Sequence, residues 1–280
     1  MPSVLITGAA RGIGRAAVLH MAGLGWEVHA GVRNAADGER LVAAAPRDRV
    51  TPVLLDVTDG AQLEALDAAL PARLDAVVNN AGIAVTAPVE GIALDEIRRQ
   101  LEVNVVGPVA VTQAVLPRLR ASGGRVVFVS SVSGRVSAPL TGVYSASKYA
   151  LEAVADSLRV ELRPWGVDVV LVEPGAIDTD LWRDALEAVD AAEAQLDGEV
   201  RALYREHFAG ARRAVKRIQK QAAPVEKVVE AIEKALTASR PRARYVVGTD
   251  ARVQLALKGA LPTSAMDAAV AKLTGTPGSA

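Results

Sequence analysis

Short apolar runs rich in β-branched residues punctuate the chain: VLIT from Val4, VHAGV from Val28, VTPVLL from Val50, DAVVN from Asp75, RVVFVS from Arg125 and VDVVLV from Val167. Runs of this length and composition predict strands buried on both faces. Between them stand stretches of helical periodicity, among them GRAAVLHMAGLG, AQLEALDAALPARL and SASKYALEAVADSLRVEL. Strand and helix alternate, which predicts a parallel sheet with right-handed crossovers and helices on both faces. The expected fold class is therefore α/β, a doubly wound parallel sheet.

The alternation lapses after Leu181. Residues 183–222 read as helical and strongly charged, ahead of a further helix from Val225 and a last strand in ARYVVG. The first half of this insertion carries Asp184, Glu187, Asp190, Glu193, Asp197 and Glu199; the second carries Arg201, Arg205, Arg212, Arg213, Lys216, Arg217 and Lys220. Tyr204, Phe208, Val215 and Ile218 form an apolar stripe at helical spacing, as a mobile lid over a substrate would need. A membrane-surface helix, or two oppositely charged helices with solvated outer faces, would also explain the charges. No repeat, low-complexity tract or Pro/Ser-rich linker divides the chain. The expectation is one domain over residues 1–280, with a helical lid at about 183–222 and a C-terminal extension.

Composition narrows the function classes. Half of the residues are apolar, enough for a sizeable core, and 32 basic residues balance 32 acidic ones, so net charge points to no nucleic-acid or acidic-lipid partner. The absence of cysteine excludes disulfides, thiolate catalysis and sulfur-ligated metal. His20, His29 and His207 are scattered with no carboxylate at ligand spacing, so no metal site is expected. Met1, Pro2 and Ser3 run straight into VLIT with no cationic leader, and no apolar stretch approaches membrane-spanning length. A soluble, cytoplasmic protein without an integral membrane segment is expected.

The turn after the first strand is TGAARGIG. Gly8 permits a tight turn, Gly12 lets the backbone approach a pyrophosphate and Gly14 lets the helix pack closely on the strand, while free N–H groups attract the anion. This is the context of a Rossmann-type dinucleotide site. Coenzyme choice should be made at the end of the second strand, Val32-Arg33-Asn34. Glu27 has roughly the separation expected of a ribose-binding acid, but it begins that strand, away from the crevice. Arg33 is better placed, and Arg11 inside the glycine turn offers a second cation for a 2′-phosphate. NADP (NADPH) is the expected coenzyme in preference to NAD.

The chemistry is expected from Tyr144, Lys148 and Ser131, while Asn104, in LEVNVVG, has no role that its position alone assigns. Tyr144 and Lys148 lie four apart on one helix face, which should bring the ammonium close beneath the phenol and lower its pKa. Tyr144 would then donate a proton to a carbonyl oxygen as hydride arrives, or accept one in alcohol oxidation. Ser131, ending RVVFVS, would hydrogen-bond the substrate oxygen.

With these residues in place, the chain from about Ser3 to Thr179 resembles the short-chain dehydrogenase/reductase family. TGAARGIG, including Ile13, matches its TGxxxGxG turn. Asp56 and Val57 resemble its adenine-contacting strand end, and Asn79, Asn80, Ala81 and Gly82 form its NNAG signature. Asn104, Ser131, Tyr144 and Lys148 fall on its catalytic tetrad; Pro174, Gly175, Ile177 and Thr179 fall on the segment that contacts the nicotinamide. The resemblance implies that Asn104 holds a proton-relaying water and that Lys148 also binds the nicotinamide ribose. VYSASKYALEAVADSLRVELRPWGVDVVLVEPGAIDT and the tail ARYVVGTDAR are similar to the branch holding 17β-hydroxysteroid and retinol dehydrogenases. That similarity implies a lipophilic carbonyl or alcohol substrate, in an apolar pocket formed by parts of Val136 to Val143, the lid and the tail. It further implies a homodimer or homotetramer paired through the helices flanking Ser131. An NADPH-binding regulator without turnover, or an epimerase or dehydratase on a related fold, are the competing functions.

Overall fold

The computed structural model describes residues 1–46 and 48–276. In chain order the first half comprises β1 (Ser3–Ile6), α1 (Gly12–Gly23), β2 (Glu27–Val32), α2 (Ala35–Ala44), β3 (Val50–Leu54), α3 (Gly60–Ala69), β4 (Ala76–Asn79), α4 (Leu94–Leu101), α5 (Gly107–Ser122) and β5 (Arg125–Val129). The second half comprises α6 (Gly142–Glu161), β6 (Asp168–Pro174), α7 (Asp180–Arg183), α8 (Ala185–Gln195), α9 (Gly198–Leu203), α10 (Arg205–Gln221), α11 (Glu226–Thr237), β7 (Arg244–Val247), α12 (Thr249–Ala260) and α13 (Thr263–Thr274).

All seven strands pair in parallel in the order β3-β2-β1-β4-β5-β6-β7. Each contains one of the apolar runs picked out above. Alternation along the strands divides the core between the two faces. Val4 and Ile6 join Val127, Val129, Val18, Met21 and Ile232 on one side. Leu5 joins Val126, Phe128, Val111, Leu119 and Leu151 on the other. The doubly wound sheet expected from the alternation is the one observed. Glu27 stands exposed at the amino end of β2, and Arg33 follows directly on its carboxyl end.

Between α4 and α5 the helix opens into a π turn, Glu102–Val106, so the chain is helical without a break from Leu94 to Ser122. Such turns accommodate an extra residue and often mark functional sites. Asn104 sits in the middle of this one.

The charged insertion folds as α7 to α10, beginning three residues before the expected start. Phe208 and Val215 from the apolar stripe are buried with Leu140, Val189 and Leu196, and Tyr204 packs against them. The charges answer each other: Arg212 bonds Asp190 through Nε at 2.7 Å and Glu193 through Nη2. Behind α10 stands α13, so close that a side-chain carbon on Gly210 would lie 2.3 Å from the Thr274 carbonyl oxygen. Arg217 donates to the Leu273 carbonyl across the same contact. Among the described residues no helix is long and apolar enough to cross a membrane.

Phe208 is fully buried, so Phe208→Ala should lower the free energy of unfolding by about 3–5 kcal/mol in urea denaturation. A change no larger than the roughly 0.5 kcal/mol of a surface substitution would show that this ring does not anchor the insertion.

Candidate active site

Two strand ends meet behind the glycine turn. Thr7 Oγ1 accepts the backbone N–H groups of Asn80 and Ala81, each at 3.0 Å. Asn80 Nδ2 donates back to the carbonyls of Thr7 at 2.9 Å and Gly8 at 3.2 Å. The approach is close enough to demand glycine. A side-chain carbon on Gly14 would lie 2.2 Å from Gly8 O, and one on Gly8 would lie 2.8 Å from Ala81 Cα. Gly8 and Gly12 also take left-handed backbone, with φ of 64° and 55°. Ile13, by contrast, is half-buried and packs into the core.

The start of α1 is left open. Asn34 caps α2 and Asp59 caps α3 through their side chains, whereas Arg11 stands at the N-cap of α1 with no side-chain cap, and no acid lies in its first turn. An uncapped helix start above a glycine cradle fits a phosphate-bearing ligand. Arg11 is exposed and approaches Asp184 at 4.0 Å, so it faces the insertion. Arg33 is exposed at the mouth near Asp56, whose carboxyl is held below its usual range, first by hydrogen bonds from Thr58 and also by the Arg33 charge. Val57 is buried against Gly107, where a side-chain carbon would come within 2.6 Å of its Cγ2. Thr179 lies 3.7 Å from the corresponding point on Gly12, which brings the Pro174–Thr179 segment to the glycine turn.

The four proposed catalytic side chains are anchored from three directions. The π turn aims Asn104 inward: Oδ1 accepts Ile83 N–H at 2.9 Å, and Nδ2 donates to Ile83 O at 2.9 Å and to Ser147 Oγ at 3.1 Å. A side-chain carbon on Gly82 would stand 3.3 Å from that same Oδ1. Ser131, just past β5, accepts Ser133 N–H at 3.1 Å, donates to Pro174 O at 3.4 Å and faces the Tyr144 side chain, whose acidity it favours. The Lys148 ammonium lies 5.9 Å from the centre of the Tyr144 ring, within cation–π range, and donates to Val129 O at 3.0 Å. Burial pushes the lysine down to about 8, opposed by the charge of Glu152. Lys148 thus lies by the Tyr144 ring, and Asn104 reaches the same helix through Ser147, whose hydroxyl donates to Tyr144 O at 2.7 Å.

The pattern that defines short chain dehydrogenases matches residues 2–190 of this chain. The chain belongs to the short chain dehydrogenase family. Retinol dehydrogenase 5 of Mus musculus is 37% identical over 276 residues, covering 95% of this chain and 86% of that one. The NADPH-dependent 3-dehydrocapnine reductase of Ornithobacterium rhinotracheale is 36% identical over 260 residues, covering 88% of each. A short-chain dehydrogenase structure from Streptomyces avermitilis matches with a TM-score of 0.76 at 31% identity, over 98% of this chain and 96% of that one. One from Burkholderia cenocepacia J2315, solved in complex with NADP, matches with a TM-score of 0.73 at 26% identity, over 96% and 97%.

In this short chain dehydrogenase one sequence expectation needs correction. Helical spacing predicted that Lys148 would lower the phenol's pKa, but burial pushes Tyr144 above its ordinary value, and the opposing influence is Ser131. The lysine's own hydrogen bond goes to the Val129 carbonyl rather than to the phenol. Part of the expected substrate pocket, the Val136–Val143 loop with the tail, does border a cavity. A cavity of about 280 Å³ is lined by Val136 to Pro139 and by the tail residues Lys258, Met266 and Val270, but it opens on Tyr149 and includes no residue of the insertion. Leu140 leaves that loop in left-handed backbone, φ 66°, to enter the insertion's core.

Asp250, at the start of α12, went unnoticed in the sequence. Its Oδ2 accepts Ala176 N–H at 2.9 Å and fixes the Pro174–Thr179 segment from 74 residues away. A side-chain carbon on Gly175 would lie 2.2 Å from that carboxylate, so Gly175 is required by packing against the tail. Among the described residues no group of three acidic or histidine side chains is arranged to hold a metal.

Asp250→Ala should free the Ala176 amide, raising its hydrogen-exchange rate by about tenfold or more for the loss of one charge-assisted bond. Unchanged protection in mass-resolved exchange would show that the segment is held by β6 and β7 alone.

Proposed function

We propose that this chain is an NADPH-dependent oxidoreductase that interconverts a ketone or aldehyde with the corresponding alcohol on a lipophilic small molecule. One cluster carries the reading: the Tyr144 side chain facing Ser131, with a buried ammonium over the same ring. When bound, the coenzyme supplies hydride to the carbonyl carbon. Everything else is the work of the chain. A buried phenol with a raised pKa keeps its proton at neutral pH, which suits Tyr144 to the donor role in reduction. Ser131 holds the substrate oxygen in line with that hydroxyl. As the proton leaves, the Lys148 charge offsets the phenolate, an interaction worth most where water is excluded. Lys148 also takes the nicotinamide ribose, and Asn104 holds the water that resupplies protons.

The open start of α1 and the turn Gly8, Gly12 and Gly14 take the pyrophosphate. Asp56 and Val57 border the adenine, Asn80 to Gly82 line the inner wall, and Pro174, Gly175, Ile177 and Thr179 hold the nicotinamide. Arg33 and Arg11 supply the cations for a 2′-phosphate, while the one acid on β2, Glu27, is at the far end of the strand. The NADPH-dependent relative and the NADP-bound neighbour agree with that choice. A lipophilic substrate is supported by the likeness to Retinol dehydrogenase 5. Pairing of two or four copies through α5 and α6 is supported by exposed Tyr149 and Val160 on α6.

Tyr144→Phe should reduce turnover by about 10²–10⁴-fold on a panel of ketones and secondary alcohols while changing NADPH affinity by no more than a few fold. Persistent turnover would reject Tyr144 as the proton donor. Arg33→Asp should move the ratio of kcat/KM values toward NADH. An unchanged ratio would reject the assignment of the 2′-phosphate to Arg33.

A further inference from the structure

Behind the lysine lies a cluster of buried charge that the reaction outlined above does not use. Glu152 follows Lys148 by one turn of α6 and is buried, as is Glu173 near the end of β6, which is fully enclosed. Arg244 reaches in from β7 and bridges them: Nε stands 3.1 Å from Glu152 Oε2 and 2.9 Å from Glu173 Oε1. Its Nη2 bonds both oxygens of Asp156, at 2.8 and 2.7 Å, and Arg159 holds the same carboxylate at 2.6 Å. Arg135 closes the far side, 3.3 Å from Glu173 Oε2. Space for this cluster comes from Gly134, where a side-chain carbon would stand 3.0 Å from both Glu152 Cγ and Ser130 Oγ.

Charge in a dry place is costly unless it is paired, and among the described residues the hydrogen-bond partner of Lys148 is a neutral carbonyl. Tyr144 and Glu152 from α6 act on it directly, and behind Glu152 stand Asp156 from α6, Glu173 from β6, Arg244 from β7 and Arg135 from the turn after β5. Glu173 is pushed toward its neutral form, by burial first and by the neighbouring Glu152 charge second. Glu152 is the acid that opposes loss of the lysine's proton. We propose that Glu152 is a positioning residue for the reaction: locked by Arg244, its carboxylate is the counter-charge that keeps Lys148 an ammonium in the working site. This rests on the reading of Lys148 given above, where only the charged lysine offsets the phenolate.

The sign follows from pairing. With Glu152 removed, a buried cation loses its opposing charge and gives up its proton at lower pH. The chain has seven lysines, so [ε-¹³C]lysine labelling and NMR can follow Lys148 alone, assigned by Lys148→Arg. In Glu152→Gln its titration should move at least about one pH unit below that of the unsubstituted protein. The alkaline limb of kcat/KM should move with it, costing about fivefold at pH 8, while NADPH affinity stays within a few fold. Glu152→Asp keeps the charge and should fall between the two; it is read in the same way if Glu152→Gln does not fold. A Lys148 titration unmoved in either folded variant overturns the proposal. Because the NMR titration needs no turnover, it separates this result from Tyr144→Phe: activity surviving there would reject the catalytic reading and leave the measured charge coupling intact.

Discussion

One threonine hydroxyl ties together the two strands on which the site depends. Thr7 directly follows β1 and takes two amides from the chain leaving β4, while Asn80 returns two bonds to the turn leaving β1. Those are the strands between which the sheet order reverses, where crossovers depart to opposite faces and leave a crevice at the carboxyl edge. The stitch is tight enough that Gly8 and Gly14 leave no volume for a side chain, so the glycines serve the closure of the crevice as much as any ligand in it. Thr179, Asn104 and Arg33 are useful because this seam fixes where the crevice lies.

The chemistry within it is governed by dehydration. Burial favours the neutral form of both Lys148 and Tyr144, and both groups are displaced in those directions. Local interactions then moderate the effect: Ser131 on the phenol, Glu152 on the lysine, Arg244 and Arg135 on the carboxylates behind. Because each charge is buried with its partners, the loss of one leaves the others uncompensated.

Much of this could be read in the sequence. The β-branched runs located all seven strands because a strand covered on both faces must be apolar at nearly every position. The glycine turn and the spacing of Tyr144 and Lys148 were equally legible, since both are local geometry. Spacing reports adjacency and says nothing of hydration, which is why the direction of the phenol's displacement was missed. Asp250 and Arg244 were invisible for another reason. Their partners, Ala176 and Glu152, lie 74 and 92 residues away, and only the folded sheet edge brings them together. The π turn at Asn104 likewise leaves no mark in a pattern that looks helical throughout.

The contact between Gly210 and the Thr274 carbonyl has a mechanical meaning. A helix that touches its neighbour backbone to backbone cannot slide or roll past it without breaking the fit, and Arg217 fastens the same seam. The charged excursion and the carboxyl-terminal helix are therefore keyed to each other along this seam. A displacement of either helix is passed directly to the other.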